Sequence, residues 1–195
     1  VSALLDYLSK GDEPETLTAE GNKDFEEKYE PKRFYRASDF DPDRRYKIAV
    51  VPFLNLSERK DAGAIITLHF VEGLHHSLPF AVLEPGLVRG ELLKFRRVMK
   101  AGPSLADAEL ICSKSSLDAD LVLTGRVYDF QSVTGIPKVD FSVQVIDSGS
   151  RELLWESRSY NHGEEGVYFF DFGRVHAAQE LSSEMTRAVL SLLVN

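Results

Sequence analysis

Three histidines lie close together in the sequence, and imidazole nitrogens are common zinc ligands. In a helix His69 and His76 share one face because they are seven residues apart, while His75 lies on another side. At most two of the three could therefore bind one ion. We interpret them as surface or partly buried histidines, and the sequence predicts no metal site and no cofactor.

A second polar group could do acid–base chemistry, because a histidine and carboxylates stand together between two glycines, Gly163 and Gly166. Its members are Asn161, His162, Glu164 and Glu165. A hydrolase would use His162 and Glu164. A flexible connector between two elements has the same composition, and we favour that interpretation.

Other catalytic signatures are missing or incomplete. Asp171-Phe-Gly173 copies the magnesium-binding triplet of protein kinases, but the glycine-rich loop and the catalytic-loop signature are absent. The sequence has no phosphate-binding loop, no GxSxG elbow, no HExxH pair and no CxxC pair. We therefore predict a protein that is not an enzyme.

Three stretches could contact a partner. A basic run at the end of a predicted helix contains Arg96 and Arg97, and positive charge there complements the helix carbonyls or attracts anionic lipid, cell-wall polymer or an acidic partner. Asn55 and Ser57 follow the first predicted strand, where α/β proteins often form a ligand pocket. An aromatic stretch either packs under the last helix or docks a partner; its candidate residues are Tyr168, Phe169, Phe170 and Phe172.

Composition limits the remaining possibilities. The chain has 195 residues, of which 43% are hydrophobic and 28% charged, as in an ordinary globular protein. A net charge of −8 repels phosphate backbones, so we predict no nucleic-acid binding. The longest apolar runs are far below the roughly 18 residues that a membrane-spanning helix needs. Cys112 is the only cysteine, which excludes an internal disulfide.

The first 46 residues form an acidic arm in this interpretation. They carry twelve Asp or Glu against eight Lys or Arg, which accounts for half of the net charge. They show no sustained period of 2 or 3.6 residues. Because a free tail seldom carries so many aromatic groups, we expect the arm to be partly ordered and to dock on the domain formed by residues 47–195.

Residues 47–195 predict an α/β domain with a mixed sheet: strand, helix, strand, helix, helix, then an antiparallel three-stranded meander and a C-terminal helix. Continuous apolar runs, helical spacing by four, and two-residue alternation assign the elements. The predicted strands are Ile48–Val51, Phe80–Leu83, Leu121–Phe130, Val139–Ile146 and Glu152–Tyr160, and the predicted helices are Ala62–Leu78, Val88–Met99, Leu105–Leu117 and Arg174–Leu193.

Several short motifs occur in the order found in one family. They are Ile48-Ala-Val-Val-Pro-Phe-Leu-Asn-Leu-Ser57, Val71-Glu-Gly-Leu74, Phe80-Ala-Val-Leu83, Ala119-Asp-Leu-Val-Leu-Thr-Gly-Arg-Val127, Val143-Gln-Val-Ile-Asp147 and Glu152-Leu-Leu-Trp-Glu156. Over residues 47–195 the chain resembles the amino-terminal domain of TolB and bacterial envelope lipoproteins related to CsgG.

The resemblance implies a non-catalytic module of the cell envelope that binds other envelope proteins, or copies of itself, and supports an envelope or secretion complex. It also implies a periplasmic location with outer-membrane anchoring through a lipidated cysteine upstream of Val1. The links at 131–138 and 161–173 are too short for the membrane hairpins of channel members, so the chain resembles the non-channel relatives. The alternative is a periplasmic binding protein for a small molecule or a cell-wall fragment.

Overall fold

A seven-stranded mixed sheet organises the chain, as seen in a computed structural model that describes residues 29–76, 80–94, 116–132, 135–165 and 173–194. The strands are β1 (Arg33–Arg36), β2 (Lys47–Val50), β3 (Leu54–Asn55), β4 (Ala81–Leu83), β5 (Leu121–Gln131), β6 (Lys138–Asp147) and β7 (Leu153–His162). The helices are α1 (Ala62–His76), α2 (Pro85–Lys94) and α3 (Ala178–Val194).

The sheet has a parallel half and an antiparallel half, in the order β1-β7-β6-β5-β2-β4. Strand β2 lies parallel to both β4 and β5, whereas β5, β6, β7 and β1 pair antiparallel in turn. The short strand β3 pairs parallel with β5 beyond the end of β2. The mixed α/β sheet with an antiparallel meander is therefore confirmed.

Most predicted elements occur within a few residues of their expected limits, and the differences have local causes. Helix α1 ends at His76, and the last two residues predicted for it lie outside the described part of the chain. The predicted helix Leu105–Leu117 falls almost wholly outside it too, with only Ser116 and Leu117 described, in a turn.

Two strands carry no recognisable sequence pattern. Strand β1 lies at the edge of the sheet and pairs only with β7 among the described strands, so its side chains do not alternate between buried and exposed. Strand β3 is two residues long, which is too short for any period.

From residue 29 on, the segment before β2 packs against the sheet. Tyr29, Phe40 and Tyr46 are buried. The Phe40 ring stacks on Tyr46 at 5.8 Å between centroids, and Tyr46 in turn stacks near Phe80. The backbone N–H of Ala37 also donates to the Leu154 carbonyl. Aromatic burial thus fixes this segment where sequence periodicity is absent.

The core is divided by the sheet into two unequal layers. Helices α1 and α3 cover one face, where the larger cluster includes Phe70, Phe141 and Trp155. On the other face α2 inserts Val88 and Leu92 against the parallel strands, in a cluster with Ala49, Val51, Ala119 and Val122. None of the described helices is both long and apolar enough to cross a membrane.

Gly125, in the middle of β5, is the point where the sheet and the loop after β2 approach most closely. A Cβ atom there would lie 2.5 Å from the Ser142 carbonyl oxygen and 2.3 Å from a ring carbon of Phe53. Phe53 itself stacks on Phe70 of α1 at 5.1 Å. Glycine is therefore required for the ring to pack between sheet and helix.

Gly125→Ala should lower the free energy of unfolding by about 1–3 kcal/mol, because the added methyl forces the Phe53 ring and the strand backbone to move. Gly90→Ala is the matched control. Gly90 lies in α2 with nothing within 4 Å of the added atom, so alanine there should raise stability by up to about 1 kcal/mol. Urea unfolding measures both, and equal effects would contradict the packing analysis.

Candidate interaction surface

The antiparallel half of the sheet presents one face to helices α1 and α3 and its other face to no described helix, since α2 covers only the parallel half. We call this second surface the open face. Its residues are Arg33 and Tyr35 of β1, Thr124, Arg126, Tyr128 and Asp129 of β5, Asp140, Ser142 and Gln144 of β6, and Glu156, Arg158 and Tyr160 of β7.

Strict alternation of buried apolar residues and outward polar residues along the strands produces this surface. In β6, Val139, Phe141, Val143 and Val145 are fully buried toward the helices, while the residues between them are half-buried and polar. Successive strand residues point to opposite faces, so the polar set must share the other side. A bulge between Val127 and Asp129 in β5 keeps Tyr128 and Asp129 both on the open face.

Three arginines form a row across the open face. In the strand register Arg126 pairs with Ser142, Ser142 pairs with Arg158, and Arg158 pairs with Arg33. Since neighbouring strands lie about 4.8 Å apart, this arginine row spans about 14 Å. Its three positive charges balance the three carboxylates of the open face, Asp129, Asp140 and Glu156, in a chain whose net charge is −8.

Arg158, in the middle of the arginine row, is held in one geometry by two neighbours. Its Nε and Nη2 atoms each donate to the Asp140 carboxylate at 2.7 Å. Its guanidinium carbon also lies 3.7 Å from the centre of the Tyr128 ring. A bidentate carboxylate contact together with a cation–π contact suits a planar guanidinium and would not suit a lysine.

Further contacts order the central part of the face. The Gln144 amide donates to Glu156 at 3.1 Å, and the Tyr128 hydroxyl lies 3.4 Å from the Ser142 hydroxyl. At the margins, Arg33 and Arg126 have no acidic side chain of the described residues within ion-pair distance, so their charge is available to a partner.

Two tyrosines stand at the β1 and β7 side of the open face. Tyr35 is 50% exposed and Tyr160 is 45% exposed, which is high for aromatic side chains in strands. Tyrosine and arginine are the residue types that most often contribute binding energy at protein interfaces. The open face therefore combines ordered polar groups with accessible aromatic rings.

Asn55 and Ser57, which the sequence predicts to bind a partner, lie outside the open face. Asn55 and Ser57 form a small hydrogen-bonded loop: Asn55 Nδ2 donates to the Arg59 carbonyl at 2.6 Å, and Asn55 Oδ1 accepts from the Ser57 hydroxyl at 2.7 Å. These bonds give both side chains a structural role in the turn that precedes α1. Their role in binding stays a prediction.

The other predicted contact residues fall outside the described part of the chain. They are Arg96, Arg97, Tyr168, Phe169, Phe170 and Phe172. The kinase-like triplet is also outside it except for Gly173, whose φ of +82° is a left-handed conformation that favours glycine.

The three clustered histidines of α1 have separate surroundings. His69 is half-buried, and burial lowers its pKa against the opposing effect of the Glu72 charge. His75 Nε2 lies 3.6 Å from Glu84 after β4, whereas His76 is exposed at the helix end. Within the described ranges no group of three or more His, Cys, Asp or Glu residues could hold a metal ion.

The polar group at the end of β7 and just after it joins the segment before β1 to the sheet. Glu165 accepts a short hydrogen bond from the Asn161 amide, lies 3.5 Å from Lys32 Nζ and lies 3.6 Å from His162 Nε2. Glu164 separately accepts a hydrogen bond from Arg174 at 3.0 Å. Glu165 therefore links the segment before β1, through Lys32, to the end of β7, through Asn161 and His162.

Comparison with solved structures shows which known proteins share this fold. PelC from Paraburkholderia phytofirmans, a dodecamer, matches with a TM-score of 0.54 and 17% identity, over 83% of this chain and 94% of that one. Lipoprotein GNA1162 from Neisseria meningitidis matches with a TM-score of 0.52 and 18% identity, over 77% of this chain and 99% of that one. At such identities the likeness shows the fold alone.

The sequence itself gives no closer relationship. No protein-family model and no curated protein sequence matches the chain. The likeness to PelC and to lipoprotein GNA1162 therefore rests on three-dimensional similarity.

The arginine row was not predicted, although the sequence contains part of the pattern that produces it. Outward residues alternate with buried ones in two strands. They are Thr124, Arg126 and Tyr128 in β5, and Glu156, Arg158 and Tyr160 in β7. The alternation predicts that each set is polar and outward. It does not show that Arg126 and Arg158 share one row, because that depends on the register between three strands.

A double-mutant cycle with Asp140→Ala and Arg158→Ala should give a coupling free energy of about 1 kcal/mol, which falls as salt is added, because the pair is bidentate and partly shielded. The Glu184–Arg187 pair on α3 is the control, since it is more exposed and has a single contact. That pair should couple by at most about 0.5 kcal/mol in urea unfolding. Equal coupling energies would show that Arg158 is not held as described.

Tyr29 should give the chain an alkaline limit of stability. Burial, and then the charges of Glu184, Glu165 and Glu180, raise the pKa of Tyr29 from 10.0 to about 12. The folded form keeps the proton more tightly, so the stability contributed by this group is complete below pH 10 and is lost as the pH rises through about 12. The difference in unfolding free energy between wild type and Tyr29→Phe should therefore change across that window; a constant difference contradicts the prediction.

Proposed function

We propose that this chain is a non-catalytic module of the bacterial cell envelope that binds other proteins, or copies of itself, through the open face. The fold shared with lipoprotein GNA1162 supports an envelope role. The TolB-like and CsgG-like motifs of residues 47–156 support the finer assignment to the non-channel relatives of those proteins.

The observation that carries the proposal is the ordered open face. Arg158 is fixed between Asp140 and Tyr128, and Gln144 is fixed on Glu156, so these groups lose little further freedom on binding. Tyr35 and Tyr160 add exposed apolar area beside them. An ordered polar surface with accessible aromatic rings is suited to recognising a protein partner.

In this proposal the module works on the periplasmic side of the outer membrane and supports the assembly of an envelope or secretion complex. Surface complementarity is the whole mechanism, so neither a cofactor nor a reacting side chain is required.

Tyr35→Ser combined with Tyr160→Ser tests the proposal. Crosslinking in intact cells followed by purification of the chain should recover its protein partners at least about tenfold less well from the double variant, because two exposed aromatic contacts are lost. Leu68→Ser is the control. Leu68 is 63% exposed on α1, on the opposite side of the sheet, so its removal should leave recovery unchanged.

Thermal unfolding of each variant shows whether a loss of partners reflects loss of the fold. If the folded tyrosine variant recovers the same proteins as the wild type, or if Leu68→Ser loses them equally, the open face is not the binding surface.

A further inference from the structure

The arginine row has an immediate neighbour of opposite character on the open face. Asp129 pairs with Asp140 across β5 and β6, and Asp140 pairs with Tyr160 across β6 and β7. We call these three residues the acidic row because it contains two aspartates, of which Asp140 is already paired with Arg158. It lies next to the arginine row, about 7 Å further along the strands, since residues two apart point to the same face.

The open face is complementary to itself because Arg126 in one row and Asp129 in the other carry opposite charges and neither is in an ion pair with another described residue. Consider a two-fold axis that lies parallel to the sheet, perpendicular to the strands and between the two rows. Rotation about it places the arginine row of one copy over the acidic row of the other and keeps β5 over β5. Arg126 then faces Asp129 of the second copy, and Arg158 faces Tyr160 of the second copy.

The groups that would meet have unused bonding capacity. Arg126 is exposed and has no described carboxylate within ion-pair distance. Asp129 accepts one hydrogen bond, from Gln131 at 3.0 Å, and a carboxylate can accept several. Tyr160 is 45% exposed, so its ring can receive a guanidinium group.

We propose that two copies of this chain associate through their open faces as an isologous pair, with Arg126 against Asp129 in both directions. This inference rests on the proposed function, and specifies a second copy as the occupant of the binding surface. A two-fold pair is the most common arrangement of soluble homo-oligomers and makes each complementary contact twice.

The size of the open face sets the expected strength of the association between two copies. Three strands of about eight residues and the four residues of β1, at 4.8 Å spacing, give a surface of about 440 Å². Two such surfaces bury about 900 Å² together, slightly below the roughly 1,000 Å² that a stable specific interface needs, which is the size of a weak, transient contact. The net charge of −8 on each copy also opposes association at long range. The pair should therefore be reversible and should form at micromolar concentration or above.

Sedimentation equilibrium of the full chain from about 5 to 500 μM tests this proposal, with a range suited to a weak interface. Wild type should show a monomer–dimer equilibrium. Arg126→Glu alone and Asp129→Arg alone should each weaken it at least about tenfold, because like charges then face each other twice. The double variant Arg126→Glu, Asp129→Arg exchanges the two charges and should return the dissociation constant to within about threefold of wild type.

Arg187→Glu controls for the change in net charge, because Arg187 is exposed on α3 behind the sheet. It should leave the dissociation constant unchanged, and thermal unfolding should confirm that every variant is folded. A wild type that stays monomeric, or a double variant as weak as the single ones, overturns the pairing. Partner recovery that still depends on Tyr35 and Tyr160 in such a monomer would leave the proposed function intact and reject only the second copy as occupant.

Discussion

The two-residue alternation of β6 is the constraint on which the rest of the structure depends. Val139, Phe141, Val143 and Val145 are buried against α1 and α3, while Asp140, Ser142 and Gln144 point away. Because the side-chain period is two, a slip of one residue would place the polar set in the core and the apolar set in water. The helix layer and the open face are therefore two consequences of one pattern.

The same constraint explains how much of the fold could be predicted. Continuous apolar residues identify β2, spacing by four identifies α1 and α3, and alternation identifies the meander from β5 to β7. Strands β1 and β3 could not be found this way, since an edge strand and a two-residue strand have no repeated burial pattern. The left-handed φ of +65° at Arg151, in the turn between β6 and β7, is also not predictable from residue type, because arginine rarely adopts it.

The candidate surface was less predictable than the fold, for a physical reason. Its arginine row combines residues of three strands that are distant in sequence, and only the hydrogen-bond register brings Arg126, Arg158 and Arg33 into line. Asn55 and Ser57, two of the residues selected from sequence, lie in and just after the two-residue strand β3, where unusual composition is easy to notice. Outward residues of a strand have the composition of any solvated face, so their arrangement becomes informative only in three dimensions.

The two faces of the sheet also differ in the kind of contact that they can form. Toward the helices, large apolar side chains such as Trp155 and Phe141 are removed from water, which favours permanent packing. On the open face, Arg158 keeps 38% of its side-chain surface exposed and Asp140 keeps 15%, so their hydration is only partly lost before any partner arrives. When a partner covers such a face, its polar groups exchange hydrogen bonds to water for hydrogen bonds to the partner. The net gain in binding free energy from this exchange is small. A sheet built in this way holds its own helices firmly, and a partner that binds its other face, as we propose, would bind reversibly.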